Sequence, residues 1–447
     1  MNINGLSFNA LPPIDLPFRF FITAVLFIIL SAFLVLFSGE QLWLSRWHPN
    51  MLALTHGFML GFVSSVMMGA LLQLLPVLGG IGFVKPRLIA GSCHFFHLLG
   101  TLSLMITFIF PSTLFFSASL VFLSLGLGGY ITATVWVLIK KLSQGDSIIG
   151  IRFAVAAFAV ALLLSLFIQA GKMGYLTNDI TNNLAFIQDK SLTNLHALWG
   201  LIGWASLLII SVSFQVIPMF HVSPAFQPFI RYHLVWLIFT LLIFFAVFPT
   251  IALPIIVILH GIFALALLVT ISKRKRKVPD TTIRYWQLGA GSLLVLNGIY
   301  FLPEALINQL PEQLSEQLST TLINKKSMIM AAIFIYFYLV SIIQGMLLKI
   351  MPFLSYTHLQ QRCMMNFSAM PLIPHMHEFL AKKHANLLFI FHLLTGLALI
   401  GTLLVPALYG FFGSLLLIEF SGLLFLMIKT IRLYNITNSK IKQLDKE

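Results

Sequence analysis

Charged side chains are scarce in this chain of 447 residues. Asp, Glu, Lys and Arg make up 9% of it, whereas 59% is hydrophobic and 13% is aromatic. A soluble domain carries about 25% charged residues, because it needs them to cover its surface. The composition therefore excludes a soluble globular protein and predicts an integral membrane protein whose immediate surroundings are a lipid bilayer.

Cysteine is nearly absent, with only Cys93 and Cys363 in the chain, and no CxxC or CxxCH motif occurs. This shortage argues against a disulfide scaffold, a zinc ribbon and a covalently attached c-type haem. A P-loop and the signatures of metalloproteases and hydrolases are missing as well. The sequence leaves open whether the protein is an enzyme.

Acidic residues are few, since 13 Asp and Glu stand against 27 Lys and Arg, giving a formal net charge of +14. The basic residues alternate between loops, as the positive-inside rule describes, so we expect no nucleic-acid partner. We place both termini in the cytoplasm and expect a bacterial inner membrane. The inner side holds 22 of the 27 basic residues, namely Arg19, Lys85, Arg87, Lys140, Lys141, Arg152, Arg231, residues 273–277, Arg284, Lys349, Arg362, Lys382, Lys383 and the five basic residues from Lys429 to the C-terminus; the outer side holds Arg46, Lys172, Lys190, Lys325 and Lys326.

Long apolar runs are abundant, and about 20 residues suffice for a helix to cross a bilayer core of about 30 Å. The first run lacks a small-residue cleavage site, so we expect a retained helix and not a signal peptide. The sequence predicts an all-α fold within a single membrane domain, 1–447. Its twelve spans are predicted at 18–38, 52–78, 88–110, 114–139, 148–170, 192–217, 229–247, 251–272, 285–305, 327–353, 386–404 and 407–429.

Three segments share one pattern: GALLQLLPVL, SVSFQVIPMF and GMLLKIMPFL each have a polar residue, two apolar residues, a proline and two apolar residues. Their prolines, Pro76, Pro218 and Pro352, are called the aligned prolines below. They are expected to end helices 2, 6 and 10. The alternative is a coincidence, since proline is common where membrane helices end. The polar residues are Gln73, Gln215 and Lys349.

A repeat of this length indicates triplication of a four-helix unit, arranged as three arcs. The fourth helix of each unit adds support, because each has a polar residue near mid-depth: Tyr130, His260 and Glu419. The predicted repeats are 14–141, 148–277 and 283–435, followed by a cytoplasmic tail at 436–447.

Histidines are prominent, with 13 in the chain. His56 begins helix 2 and His196 begins helix 6, both toward the outer face. Imidazole is the usual ligand for haem iron or copper within a helical bundle, but it also forms ordinary hydrogen bonds between membrane helices. His94 and His97 share a helix face and are candidates to bind a metal together. The other metal-ligand candidates are His233, His260 and His392.

Two motifs carry a resemblance to a known family. Residues 17–21, Pro-Phe-Arg-Phe-Phe, precede helix 1, and residues 56–62, His-Gly-Phe-Met-Leu-Gly-Phe, lie in helix 2. With the twelve predicted spans, they resemble the NnrS-like haem membrane proteins and, more distantly, the catalytic subunit of haem-copper oxidases. The resemblance implies haem, with copper as a further option, and a role in respiratory or nitric-oxide metabolism with a redox partner or a small gas ligand.

The chain departs from the oxidase pattern at the metal ligands. Helix 7 has the single His233, helix 10 has no histidine, and Leu54 stands where a paired histidine would begin helix 2. We therefore expect one haem or none, and no binuclear oxygen-reducing centre. His196 and Met330 each lie 22 residues before an aligned proline. His56 with Met330 or His196 is thus the candidate axial pair, the alternative for Met330 being ordinary packing.

Glu419 is the one carboxylate that lies deep within a predicted span, and Lys349 is the one basic residue well inside one. Glu419 and Lys349 are expected either to form a structural pair or to belong to a proton path with Tyr300. Their presence keeps open a second function, a secondary transporter or permease for a small solute or ion. Transporter repeats usually come as two halves, however, and here three units are predicted.

Overall fold

The computed structural model describes residues 12–80, 82–140, 145–172, 190–303, 323–364 and 366–445. Regular structure in these residues is entirely helical. Some expectations fall outside the described residues, namely Lys141, residues 304–305 of the predicted ninth span and residues 446–447 of the tail.

Eleven helices among the described residues are long and apolar enough to cross a membrane, which supports an integral membrane protein. A further helix, α9 at Thr281–Phe301, has 21 residues but includes Arg284, Gln287 and Asn297. The count of twelve spans therefore stays a prediction. The eleven are α1 Asp15–Trp43, α2 Pro49–Leu78, α3 Pro86–Ile109, α4 Thr113–Lys140, α5 Asp146–Lys172, α6 Ser191–His221, α7 Pro228–Phe245, α8 Pro249–Ser272, α10 Ile323–Cys363, α11 Lys382–Leu404 and α12 Pro406–Leu444.

Local sequence explains where several helices begin. Proline is the first residue of α2, α3, α7 and α8, where its missing N–H costs nothing and its fixed φ suits the first turn. Asp280 caps α9, because its carboxylate accepts a 3.0 Å hydrogen bond from the backbone N–H of Thr282. Two short helices, Phe367–Leu372 and Met376–Phe379, connect α10 to α11.

The helices α10 and α12 are longer than their predicted spans, at 41 and 39 residues. At about 1.5 Å per residue both exceed a bilayer core of about 30 Å. Their C-terminal parts are joined by side chains: Arg362 donates to Asn438 at 2.9 Å, and the Tyr434 hydroxyl lies 2.8 Å from His358 Nδ1. The predicted tail from residue 436 is thus a continuation of α12 up to Leu444.

The chain forms two compact units. The first comprises the described residues of Met1–Pro12, Ala70–Lys277 and Leu293–Tyr300. Within it α3 packs on α4, α5 on α6, and α7 on α8. The second comprises the described residues of Pro13–Gly69, Val278–Ser292 and Phe301–Glu447. Within it α12 packs on α1, α10 and α11.

Three of the long helices contain a π-helical segment of eight residues, in which the hydrogen-bond register widens. In α2, α6 and α10 this segment begins 19 residues before the aligned proline. π-Helical turns are rare and frequently occur at functional sites. The three segments are Gly57–Ser64, Trp199–Ser206 and Ile333–Val340.

The expectation that the aligned prolines end their helices is wrong. Each proline lies inside a helix, and α2 continues to Leu78, α6 to His221 and α10 to Cys363. Proline removes one backbone donor and crowds the carbonyl four residues earlier. Membrane helices tolerate this because neighbouring groups satisfy the freed carbonyl.

Candidate functional site

Two of the predicted haem ligands lie just before π segments. His56 directly precedes that of α2, and His196 lies three residues before that of α6; both side chains are half-buried. His56 Nδ1 is 2.7 Å from the carbonyl oxygen of Leu52, and His196 Nδ1 is 3.0 Å from that of Ala161. Because a carbonyl oxygen only accepts, Nδ1 carries the hydrogen in both rings. Nε2 is then the nitrogen suited to a metal.

The third predicted ligand, Met330, lies three residues before the π segment of α10 and is half-buried. It belongs to the second unit, as does His56. Within that unit the π segments of α2 and α10 contact each other. The structure therefore brings together the helices that carry His56 and Met330, whereas His196 belongs to the first unit.

The predicted metal ligands on α3 and α7 differ in their surroundings. His94 and His97 are both buried, and His233 is exposed. His233 Nδ1 accepts a 3.3 Å hydrogen bond from Trp236 Nε1. Within the described ranges, no group of three or more His, Cys, Asp or Glu side chains is arranged to hold a metal ion.

The most complete polar network in the second unit surrounds His392 on α11. We call His392, Glu419, Tyr336 and Ser341 the His392 cluster. His392 Nδ1 donates to Glu419 Oε1 at 2.8 Å, and the Tyr336 hydroxyl donates to Glu419 Oε2 at 2.7 Å. Ser341 Oγ lies 2.6 Å from His392 Nε2. The network thus joins α10, α11 and α12 and uses both oxygens of the carboxylate.

Aromatic rings enclose the His392 cluster. The Tyr336 ring stacks on the imidazole, with centroids 4.6 Å apart and planes 17° apart, and Tyr285 of α9 lies against it at 5.3 Å. The side chains of His392 and Glu419 are 0% exposed. Glycine at position 345 allows α10 to approach Tyr285 closely, because a Cβ there would clash with the tyrosine side chain.

The first unit contains a similar histidine, His260 on α8. Its Nε2 lies 2.9 Å from Ser206 Oγ, and its Nδ1 donates to the carbonyl oxygen of Ile256 at 2.8 Å. Ser206 ends the π segment of α6, and Ser341 directly follows that of α10. Both buried histidines therefore pair with a serine at the end of a π segment. They differ in the partner of Nδ1, a carbonyl for His260 and a carboxylate for His392.

The expected pairing of Glu419 with Lys349 is not formed. Lys349 Nζ binds Asp280 Oδ2 at 2.7 Å, so this lysine is neutralised by the residue that caps α9. Glu419 instead binds His392 and Tyr336. The expected proton path through Tyr300, Glu419 and Lys349 therefore loses the contact between its two charges. Tyr300 is half-buried near the end of α9 and belongs to the first unit.

The two aligned glutamines have different surroundings. Gln73 is buried, and its Nε2 donates to the carbonyl oxygen of Pro12 at 3.3 Å. Gln215 is half-buried. The polar residue three positions before the aligned proline therefore forms a hydrogen bond in α2 and an ion pair in α10.

Sequence reasoning missed Tyr336, Ser341 and Tyr285, and it assigned His392 and Glu419 to separate categories. One signal points to His392. Residues 96–99 and 391–394 both have the sequence Phe-His-Leu-Leu, and in each the histidine stands 14 residues before a proline. No comparable signal marks the tyrosines, since aromatic residues are common throughout the spans.

Comparison with known protein families and with curated proteins finds no match to the chain.

Proposed function

We propose that the chain is a haem-binding multi-pass membrane protein of respiratory or nitric-oxide metabolism. The observation that supports this best is the hydrogen bonding of the His56 and His196 rings, which sets their tautomer. Each lies at a π segment with Nδ1 held by a backbone carbonyl, which leaves Nε2 in the tautomer a metal requires. Metal-ligating histidines almost always donate their other N–H to a carbonyl or carboxylate in this way. The resemblance to NnrS-like proteins leads to the same proposal.

The donor set of the second unit fits an axial haem pair better than a copper site. His56 and Met330 supply imidazole and thioether, a known combination of axial ligands, from helices that contact each other. A copper centre built on three histidines has no counterpart among the described residues. When bound, haem would supply an iron for electron transfer. His56 and Met330 would hold the haem, and the Leu52 carbonyl would orient the His56 imidazole.

The proposal includes the architecture that the sequence predicts. We propose twelve spans in three four-helix repeats, with both termini on the cytoplasmic side of a bacterial inner membrane. The identical 19-residue spacing of the π segments from the aligned prolines supports the repeats. The basic loops support the orientation.

The haem ligands are tested by absorption spectra of matched variants, produced with ample haem and purified in detergent. We expect His56→Ala to lose most of the Soret absorbance and Met330→Leu to retain haem with an altered ligation state. His233→Ala is the control, because this exposed histidine on α7 should leave the spectrum unchanged. Equal spectra for His56→Ala and His233→Ala would exclude His56 as a ligand, and His196→Ala would then be examined.

A secondary transporter of a small solute or ion is the second candidate. The observation that favours it is the fully buried His392–Glu419 pair, because ionisable groups inside the membrane often mark ion or substrate pathways. The test is ion or solute flux into proteoliposomes. Flux abolished by Glu419→Gln in a protein without a Soret band would favour transport over haem binding.

A further inference from the structure

The His392 cluster has no part in the proposed haem site, yet it contains the most deeply buried acid and base in the described chain that bind each other. We propose that His392 is an intramembrane proton-binding site, which takes up and releases one proton at Nε2 with Glu419 as its permanent counter-charge. This inference does not depend on haem, since none of its residues is a proposed iron ligand.

The hydrogen bonds determine which member of the pair is ionised. Glu419 accepts from His392 Nδ1 through one oxygen and from the Tyr336 hydroxyl through the other. A carboxylate that accepts charge-assisted hydrogen bonds on both oxygens is stabilised as the anion. A buried anion without a cation is costly, and a proton on the imidazole makes the pair neutral overall. Glu419 therefore favours a second proton on His392.

Among the residues that the structure describes, no other positive charge faces His392. The titratable groups that face it in the described structure are Glu419 from α12, Tyr336 from α10 and Tyr285 from α9. On its own helix, the basic residues Lys382 and Lys383 lie at the first turn, nearly three turns away. A proton taken up at Nε2 therefore supplies the positive charge that compensates the Glu419 carboxylate.

Ser341 allows that change without rearrangement of heavy atoms. Its Oγ lies 2.6 Å from His392 Nε2 and 3.2 Å from the carbonyl oxygen of Tyr336. When Nε2 is unprotonated, the serine hydroxyl donates to it. When a proton binds there, an N–H bond forms at Nε2 and donates to Oγ, and the serine hydrogen turns to the Tyr336 carbonyl. The hydrogen on Nδ1 stays bonded to that nitrogen and donates to Glu419 in both states.

Two further polar groups indicate how a proton reaches the site. Gln344, one turn beyond Ser341, is 0% exposed, and neither of its amide atoms has a partner among the described residues; the same holds for the Tyr285 hydroxyl. Buried polar groups in native proteins are paired with protein or with ordered water. Waters held by Gln344 and Tyr285 would provide the connection.

His260 is the internal control. It is buried and paired with a serine like His392, but its Nδ1 donates to a neutral carbonyl. A neutral carbonyl compensates a charged imidazole less than a carboxylate does. We expect His260 to stay neutral at every pH at which His392 titrates.

The test is solid-state NMR of the full chain in lipid bilayers with isotope-labelled histidine, which distinguishes neutral imidazole from imidazolium. Spectra from about pH 5 to about pH 9 cover the range in which histidine usually changes charge. The signal removed by His392→Gln should convert from imidazolium to neutral as pH rises. Glu419→Gln, a near-isosteric change, should keep that signal neutral throughout, and the signal removed by His260→Gln should be neutral throughout.

A second variant keeps the test decisive if Glu419→Gln does not fold. Tyr336→Phe removes one hydrogen bond from Glu419 but keeps the stacked ring and the carboxylate, so the His392 signal should still convert between imidazolium and neutral. A His392 signal that is imidazolium at every pH would show a fixed ion pair and overturn the proposal. A signal that is always neutral would overturn it as well.

Discussion

His392 and Glu419 compensate each other inside the second unit. Their side chains are 0% exposed and 2.8 Å apart. Removing one partner of such a pair leaves an uncompensated polar or charged group, whereas removing both leaves none. The cost of a substitution here therefore depends mainly on the polar or charged group that is left without compensation, and less on the hydrogen bond that is removed.

A double-mutant cycle tests this dependence. We expect Glu419→Leu or His392→Leu alone to lower the free energy of unfolding by about 3–5 kcal/mol. The double variant should cost less than the sum of the two, with a coupling of about 0.5–3 kcal/mol. The measurement is unfolding of the protein in detergent.

His260→Leu is the matched control for that cycle. It removes the hydrogen bonds of the imidazole to Ser206 and to the Ile256 carbonyl, neither of which is charged, so it should cost about 1–3 kcal/mol. Strictly additive costs for His392 and Glu419 would show that the two side chains do not stabilise each other.

The π segments are the helical feature that sets the geometry of both candidate sites. His56 lies directly before the segment of α2, and Tyr336 lies within that of α10. The α2 segment also packs closely on α1, where Gly61 faces the Phe27 ring so tightly that a Cβ would overlap it. Glycine is required there by contact, not by backbone conformation.

Two glycines in equivalent segments provide a test of that contact. Gly61→Ala should destabilise the protein by about 1–3 kcal/mol, because the added methyl group overpacks against Phe27. Gly200→Ala, in the π segment of α6, has no neighbour within 4 Å of the new Cβ and should change stability by less than about 0.5 kcal/mol. Comparable unfolding for both variants would contradict the packing described for α1 and α2.

Within the described residues each predicted span overlaps a helix, because long apolar runs need only local sequence to form helices in a membrane. The π segments were not foreseen, since a wider hydrogen-bond register depends on the neighbouring helices and not on residue type. The same reason explains the error at the aligned prolines. Proline does disfavour helix, but whether the helix continues depends on what satisfies the freed carbonyl, and α10 continues for eleven residues beyond Pro352.

The candidate sites were foreseen only in part. Glu419 and His392 were singled out as intramembrane polar residues, yet their contact was missed because they lie 27 residues apart on different helices. Lys349 was assigned to Glu419 on charge alone, while its partner is Asp280, a residue outside every predicted span. Which side chains meet between two helices depends on how the helices pack, and no pattern in a single sequence shows that packing.

The distribution of basic loops makes the topology of the complete chain testable. A fluorescent protein fused after Glu447 should fold and fluoresce, because we place the C-terminus in the cytoplasm. A periplasmic reporter enzyme should be active when it follows Lys190 and inactive when it follows Lys277, since these positions lie on opposite sides. Equal reporter activity at both positions would contradict the proposed topology.

The most direct test of the proposed function is the visible spectrum of the purified wild-type protein, recorded air-oxidised and then dithionite-reduced, with haem and metal content assayed. Our account predicts a Soret band, sharp α-bands on reduction and about one haem per chain, as expected for one axial pair. A folded protein, produced with ample haem, that shows no Soret band would contradict it.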